Sequence, residues 1–412
     1  MKILSLQYRP CSRNFKQSAA LRAKGHRVDL GFVQGGCQAL PSSGGTKWGV
    51  YSFDERDTLQ IFDTYEDANQ MAMVRNVQKY GPFFDKIINL HDFAYNPLTL
   101  MEFMGEYDVV ICHNTPNQPA AAAVAMSQIT GVPVIHNAHD VYQIRGRDPS
   151  VDGVFLMEEL GTLAADGHLF VSPEQREFYE SRYQKVPNAG FIYNYTSIDR
   201  LPIESGRAFP EDEIHLVYVG GVVLDQPHER NFTKLWKGLA ANGFHVHFYT
   251  DAHKVIGGLF DNDPMIHYEG SVPEPEVSRE LASKGYDAGL FFWNFEDQHA
   301  EFDKLDGAMP NKVFEYLGAQ IPVLVDPMCR VAAEFITEYG VGIVCKPEQF
   351  TIKPRWRDAA DMRPMLTKLK DNIRAMGHEE ITIEGHIDVL EQICEKAIER
   401  RQDARSDSLV CS

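Results

Sequence analysis

The chain has 412 residues, of which 44% are hydrophobic and 24% are charged, and its formal net charge is −18. This composition is typical of a folded protein, and the length favours two domains of roughly 200 residues each. The negative charge disfavours a non-specific nucleic-acid surface, and no apolar run is long enough for a signal peptide or a membrane-spanning helix. The seven cysteines form no CxxC pair, which is typical of a cytosolic protein and predicts no zinc site.

The first half of the chain alternates between strand and helix patterns. A buried strand is predicted at 2–7, followed by a loop, a helix that ends near 25 and a second strand at 26–32. Later strands are predicted near 86–90, 107–117 and 132–140, and later helices near 66–79 and 120–129. This order is that of a doubly wound parallel sheet, in which ligands gather at the carboxyl ends of the strands.

Histidines end two of these strands. The buried strand within 107–117 ends in His113, and the strand 132–140 ends in His139 and Asp140. Histidine can donate a hydrogen bond from one ring nitrogen while a neighbouring carboxylate fixes its tautomer. These three residues are therefore candidate catalytic residues. The alternative is a structural loop in which Asp140 is a cap and the histidines bond locally.

A second doubly wound unit begins after a stretch rich in proline, glycine and charge at 200–212. Its first strand, within 214–223, ends in Gly220-Gly221, where bare backbone allows a diphosphate to approach closely. Arg230 is the nearest arginine after this turn and is a candidate phosphate contact. A lone arginine at a helix start can equally be a solvated charge.

The stretch 310–325 reads PNKVFEYLGAQIPVLV, a helix followed at once by a buried strand. Pro310 suits a helix start because its missing N–H would have no partner there. The N–H groups of the first turn, at Asn311, Lys312 and Val313, form a site for an anion such as a phosphate. Glu315 lies one turn further on and can accept two hydroxyl hydrogen bonds, as a ribose supplies. The alternative is an amphipathic helix packed on the sheet, with Lys312 at the surface.

The pattern PNK-x-FEYL-x-A-x-x-PVL resembles the nucleotide-sugar signature of retaining GT-B glycosyltransferases, in particular the family-4-like group. The resemblance implies an α/β GT-B fold, in which two Rossmann-like doubly wound domains face a central cleft. An acceptor-binding domain is expected at 1–200 and a nucleotide-sugar domain at 201–380, with a C-terminal helix at 381–412 that crosses back and ends in a frayed tail. In that group the glutamate at Glu315 holds the donor ribose. The group's earlier glutamate falls here on Gly307.

The same resemblance implies the activity. A hexose would pass, with retention and without a metal or other cofactor, from a nucleotide diphosphate sugar to a glycan, lipid-linked or small-molecule hydroxyl. UDP- and GDP-sugars are the favoured donors. His139 would line the donor sugar, and the loop at Val272 would contact the nucleotide base. The expected location is the cytoplasm, with no nucleic-acid partner and with peripheral contact to the inner membrane face left open, as in polysaccharide biosynthesis.

Two other interpretations of the sequence remain open. A GT-B-like nucleotide-sugar 2-epimerase would use the same cleft but needs carboxylates beside the sugar, of which Asp140 is the well-placed one. A catalytically silent GT-B scaffold would bind a sugar or a partner without turnover. The missing glutamate at Gly307 favours this second alternative.

Overall fold

The computed structural model describes thirteen stretches of the chain and three single residues: 1–7, 12–32, 49–51, 83–89, 101, 104–114, 118–139, 153–183, 186–202, 206, 209–224, 228–251, 260, 263–294, 307–351 and 359–410. The helix predicted near 66–79 and the candidate Asp140 lie outside these residues.

The chain divides into two compact units. Unit 1 comprises Met1–Ile192 together with His386–Ser412, and unit 2 comprises Tyr193–Gly385. The division lies upstream of the boundary predicted at residue 200, and the last segment belongs with unit 1.

Unit 1 is built on an eight-stranded sheet of order β3-β4-β2-β1-β5-β6-β7-β8. All neighbouring strands are parallel except the edge strand β3, which is antiparallel to β4. The strands are β1 Lys2–Gln7, β2 Arg27–Phe32, β3 Gly49–Tyr51, β4 Lys86–Asn89, β5 Val109–Asn114, β6 Val134–Ala138, β7 Gly167–Phe170 and β8 Ala189–Phe191. The helices described in this unit are Ser12–Ala23, Gln118–Thr130, Gly153–Ala164, Pro173–Arg182 and Asp388–Val410.

Unit 2 contains a six-stranded parallel sheet of order β11-β10-β9-β12-β13-β14. The strands are β9 His215–Val219, β10 His245–Tyr249, β11 Ile266–Tyr268, β12 Ala288–Phe291, β13 Val323–Val325 and β14 Gly342–Val344. The α-helices described here are Thr233–Ala241, Val277–Lys284, Asn311–Gly318, Arg330–Tyr339, Glu348–Thr351, Ala359–Ala375 and His378–Ile381.

In both sheets the first strand of the unit lies in the middle, and later strands lie on either side of it. In unit 1 the order reverses between β1 and β5, and in unit 2 it reverses between β9 and β12. Such strands are covered on both faces, and residues 3–7 of β1 are accordingly all buried. Ligands of doubly wound sheets bind at the carboxyl ends of the strands where the order reverses.

The C-terminal helix Asp388–Val410 packs against the sheet of unit 1. A Cβ atom on Gly167 would lie 2.6 Å from Ile393, so glycine permits this close approach. Arg401 forms a bidentate ion pair with Asp166, at 2.6 and 3.1 Å. The helix continues to Val410, through residues for which a frayed end was predicted. None of the helices in the described part of the chain is long and apolar enough to span a bilayer.

Candidate functional site

Strand β9 ends in the glycine turn, Gly220-Gly221. Gly220 has a φ of +135°, which residues with a side chain rarely adopt. Its N–H donates to the carbonyl oxygen of Tyr249 at 3.1 Å, and the Tyr218 hydroxyl donates to the carbonyl oxygen of Gly221 at 2.9 Å. The turn is therefore fixed by strand residues and presents bare backbone at the point where the sheet order reverses.

Two cations border the glycine turn. A Cβ atom on Gly220 would lie 3.3 Å from Lys312 Nζ, and one on Gly221 would lie 3.2 Å from Arg230 Nη1. Neither cation has a carboxylate partner among the residues that the structure describes. Four of the predicted site residues thus meet in one place, and the arrangement suits an anion with several charged oxygens.

Trp293 lies beside both cations, and the sequence did not predict it as a site residue. It follows β12, and its ring centroid lies 5.6 Å from the Arg230 guanidinium and 5.8 Å from Lys312 Nζ. Lys312 Nζ also lies 3.9 Å from the centroid of Tyr218. Burial, and next the charge of Arg230, lower the pKa of Lys312 to about 7. A bound anion would oppose both effects by favouring the charged ammonium.

The helix Asn311–Gly318 carries Lys312 on its first turn. Pro310 precedes it in an extended conformation, with φ −76° and ψ 154°, and accepts a hydrogen bond from the N–H of Val313 at 3.2 Å. Val313 is fully buried, whereas Asn311 and Lys312 are partly exposed. The helix therefore begins at the predicted residue with its polar first turn near the glycine turn.

Tyr316 ties this helix to the centre of the sheet. Its hydroxyl accepts from the N–H of Val219 at 3.0 Å and donates to the carbonyl oxygen of Leu290 at 3.3 Å. Val219 ends β9 and Leu290 lies in β12, so one side chain bridges the two strands between which the order reverses. A Cβ atom on Gly289 would lie 2.4 Å from the Tyr316 ring, which explains the glycine there.

Glu315 is buried among polar side chains of unit 2. It is 3% exposed and accepts hydrogen bonds from Ser278 and from Thr196, the latter at 3.5 Å. Its Oε1 lies 3.8 Å from Nη1 of Arg200, which also binds Glu274. These contacts orient the carboxylate, and its contact with a ribose stays a prediction.

Val272 lies in the loop that follows β11. The loop begins at Gly270, whose φ is +83° and whose carbonyl oxygen accepts from the N–H of Thr250 at 2.8 Å. Val272 is partly exposed at this carboxyl edge of the sheet. Its contact with a nucleotide base stays a prediction.

In unit 1 the predicted histidines meet at the carboxyl ends of β5 and β6. His113 Nδ1 lies 3.2 Å from His139 Nε2, with ring centroids 5.3 Å apart. Burial, and next the charge of Arg13, hold the pKa of both rings well below the ordinary value. Both imidazoles are therefore neutral near pH 7.

One arrangement of protons satisfies the hydrogen-bond partners of His113. Gln7 Nε2 donates to Ser5 Oγ at 3.0 Å, and Ser5 Oγ lies 3.1 Å from His113 Nε2. Because the Ser5 oxygen accepts from Gln7, its O–H can donate to His113 Nε2. In this arrangement His113 donates from Nδ1 to His139 Nε2. The period of two along β1 places both polar residues on one face, a signal that the sequence analysis did not use.

Comparison with known proteins identifies the fold. No family model and no curated protein matches the sequence. HepE of Anabaena in complex with UDP superposes with a TM-score of 0.62 at 13% identity, over 96% of this chain and 99% of that chain. Sucrose-phosphate synthase of Thermosynechococcus elongatus superposes with a TM-score of 0.59 at 14% identity, over 100% of both chains.

A glycosyltransferase of Rickettsia africae superposes with a TM-score of 0.59 at 10% identity, over 98% of both chains. Together these similarities confirm the predicted GT-B fold.

Proposed function

We propose that this chain is a glycosyltransferase that moves a sugar from a nucleoside diphosphate sugar to a hydroxyl acceptor, with retention and without a catalytic metal. One observation carries the proposal: Lys312 and Arg230 border the glycine turn and have no carboxylate partner in the described part of the chain. The GT-B fold supports it, and the similar HepE was solved with UDP and with UDP and glucose.

The cations would act on the leaving group. In the transfer, the bond between the anomeric carbon and a diphosphate oxygen breaks, and its electron pair stays on the diphosphate. Lys312, Arg230 and the backbone of the glycine turn would stabilise this developing charge. The acceptor oxygen would form the new bond to the anomeric carbon, and its proton would pass to the departing diphosphate oxygen.

The remaining donor contacts follow from the predicted roles. The first-turn N–H groups at Asn311 and Lys312 would add to phosphate binding, because the helix dipole favours an anion there. Glu315 would accept from the ribose hydroxyls, and Val272 would contact the base. In unit 1, neutral His139 would donate a hydrogen bond to the sugar.

The test is a thermal-shift screen of the full chain with UDP, GDP, ADP, CMP, dTDP and their common sugars, with and without Mg²⁺. We expect one nucleoside diphosphate to raise the Tm without metal, since a ligand at 100 times its Kd stabilises a fold by about 2.7 kcal/mol. Lys312→Met should remove most of this shift. Lys237→Met changes an exposed lysine of the helix Thr233–Ala241 and should preserve it.

Two results would contradict the proposal. If no nucleoside diphosphate shifts the Tm, the catalytically silent scaffold becomes the better interpretation. If a nucleotide sugar binds but no acceptor mixture releases the nucleoside diphosphate, transfer is excluded while donor binding stands.

A further inference from the structure

Four histidines form a ladder at the amino-terminal edge of the unit 2 sheet. His215 pairs with His245 across β9 and β10, and His247 pairs with His267 across β10 and β11. The ring centroids lie 4.4 Å apart for His215 and His245, 5.2 Å for His245 and His267, and 4.4 Å for His247 and His267. The strand register therefore gathers four imidazoles at the end of β9 remote from the glycine turn.

Glu213 completes a group of three metal-ligating side chains. Its Oε2 lies 3.0 Å from His215 Nε2 and 3.6 Å from His245 Nε2, and the three ligand atoms all lie within 4.8 Å of one another. Zinc bonds to nitrogen and oxygen are about 2.0–2.2 Å long, so tetrahedral ligand atoms lie roughly 3.3–3.6 Å apart. The two distances from Glu213 are thus near the edge length of a zinc tetrahedron, and the two histidine nitrogens lie within 4.8 Å of each other.

Each of the two histidines in this group has its other ring nitrogen in a hydrogen bond. His215 Nδ1 lies 2.9 Å from His247 Nε2, and His245 Nδ1 lies 3.0 Å from His267 Nε2. Outer partners of this kind fix the orientation and tautomer of metal-bound histidines. The ladder therefore directs both Nε2 atoms toward Glu213.

The hydrogen bonds also leave a place for a cation. His247 Nδ1 lies 2.7 Å from Glu269 Oε1, and a carboxylate only accepts, so His247 donates from Nδ1. In the tautomer with the proton on Nδ1, His247 accepts at Nε2 from His215 Nδ1. In that tautomer the lone pair of His215 Nε2 faces the Glu213 carboxylate at 3.0 Å. Two acceptors at this distance repel each other unless a cation lies between them.

Arg363 does not supply that cation. Its guanidinium donates to Asp287 Oδ1 at 2.9 Å and to the backbone carbonyl oxygen of Glu213. Asp287 balances its charge, and the side-chain carboxylate of Glu213 is left to the histidines.

We propose that Glu213, His215 and His245 bind a divalent transition-metal ion of the Zn²⁺ type, with the fourth position open to solvent. Two imidazoles and one carboxylate suit Zn²⁺, whereas Mg²⁺ and Ca²⁺ prefer oxygen ligands. The length of β9 separates this group from the glycine turn by on the order of 15 Å. The ion would therefore lie outside the donor site, and the proposal does not depend on the proposed function.

The test is Zn²⁺ binding to the full chain, measured by calorimetry with the metal alone and by X-ray absorption. We expect a site with two imidazole ligands and N/O distances of about 2.0–2.2 Å. Glu213→Gln and His245→Gln should each weaken binding by about 100-fold, since each removes one ligand. Both leave the buried His215 in place, and their metal-free Tm values should stay near that of the wild type.

Glu391→Gln is the matched control. Glu391 faces one histidine, His26, at 2.7 Å, and its loss should leave Zn²⁺ binding unchanged. The proposal is overturned if the chain binds no Zn²⁺, in which case a proton occupies the place between His215 and Glu213. It is equally overturned if Zn²⁺ binding survives both ligand variants or falls as much in the control.

Discussion

The two units carry side chains of different charge beside the point where the strand order of each sheet reverses. In unit 1 the strand ends beside the reversal carry His113 and His139, which burial keeps neutral. In unit 2 the corresponding ends are bordered by Lys312 and Arg230, two cations whose counter-charge is not supplied by the described residues. The shared topology fixes where ligands bind, and side chains from neighbouring elements decide whether the contact is neutral or charged.

The largest effect is expected at the neutral histidines of unit 1. His139→Ala should lower kcat by about 100-fold, because it removes the proposed hydrogen-bond donor to the sugar. The Kd of the nucleoside diphosphate should change little, since the proposed phosphate contacts lie in unit 2. Steady-state kinetics and calorimetry separate the two quantities. A weakened Kd with an intact kcat would mean that His139 serves donor binding instead.

Donor affinity at the cations of unit 2 should depend on pH. The pKa of Lys312 is about 7 in the free protein, and the ammonium is the form that binds a diphosphate. Above pH 7 the free protein loses this proton, so donor affinity should fall by up to about tenfold per pH unit, whereas it levels off below pH 7. Lys312→Arg stays charged throughout and should give a flat profile. Parallel profiles for the two proteins would exclude Lys312 as the titrating group.

The smallest effect is expected at the ring between the two cations. Trp293→Phe weakens the attraction of the ring face for Arg230 and Lys312, worth about 0.5–1 kcal/mol at partly exposed sites. Donor affinity should fall about two- to fivefold, and further in Trp293→Leu. Equal losses in both variants would show that the side chain acts by packing alone. Titration calorimetry with the nucleoside diphosphate resolves these differences.

The sequence predicted the parts of the site whose signals are local. The glycine turn follows an apolar strand, and Pro310 marks the start of the helix that carries Lys312. Neighbouring parallel strands place their carboxyl ends at one edge, so the turn and the helix start were expected together.

The parts that the sequence did not predict depend on register between distant strands. Trp293 reads as one more apolar residue after a buried strand, and only the packing shows it between two cations. Ser5 becomes informative once β1 lies beside β5 and His113 is its neighbour. His215 and His245 likewise meet through the pairing of β9 with β10. Spacing along the chain does not show which of these residues meet.

The C-terminal helix has a consequence for biosynthesis on the ribosome. Unit 1 consists of two separate stretches of chain, and all of unit 2 is translated between them. The contacts of Ile393 with Gly167, and of Arg401 with Asp166, can form only after unit 2 has been made. Unit 2 is continuous and can fold as soon as it emerges. Unit 1 is therefore the first to begin and the last to be completed. The face of its sheet that the C-terminal helix covers stays exposed until that helix has been translated.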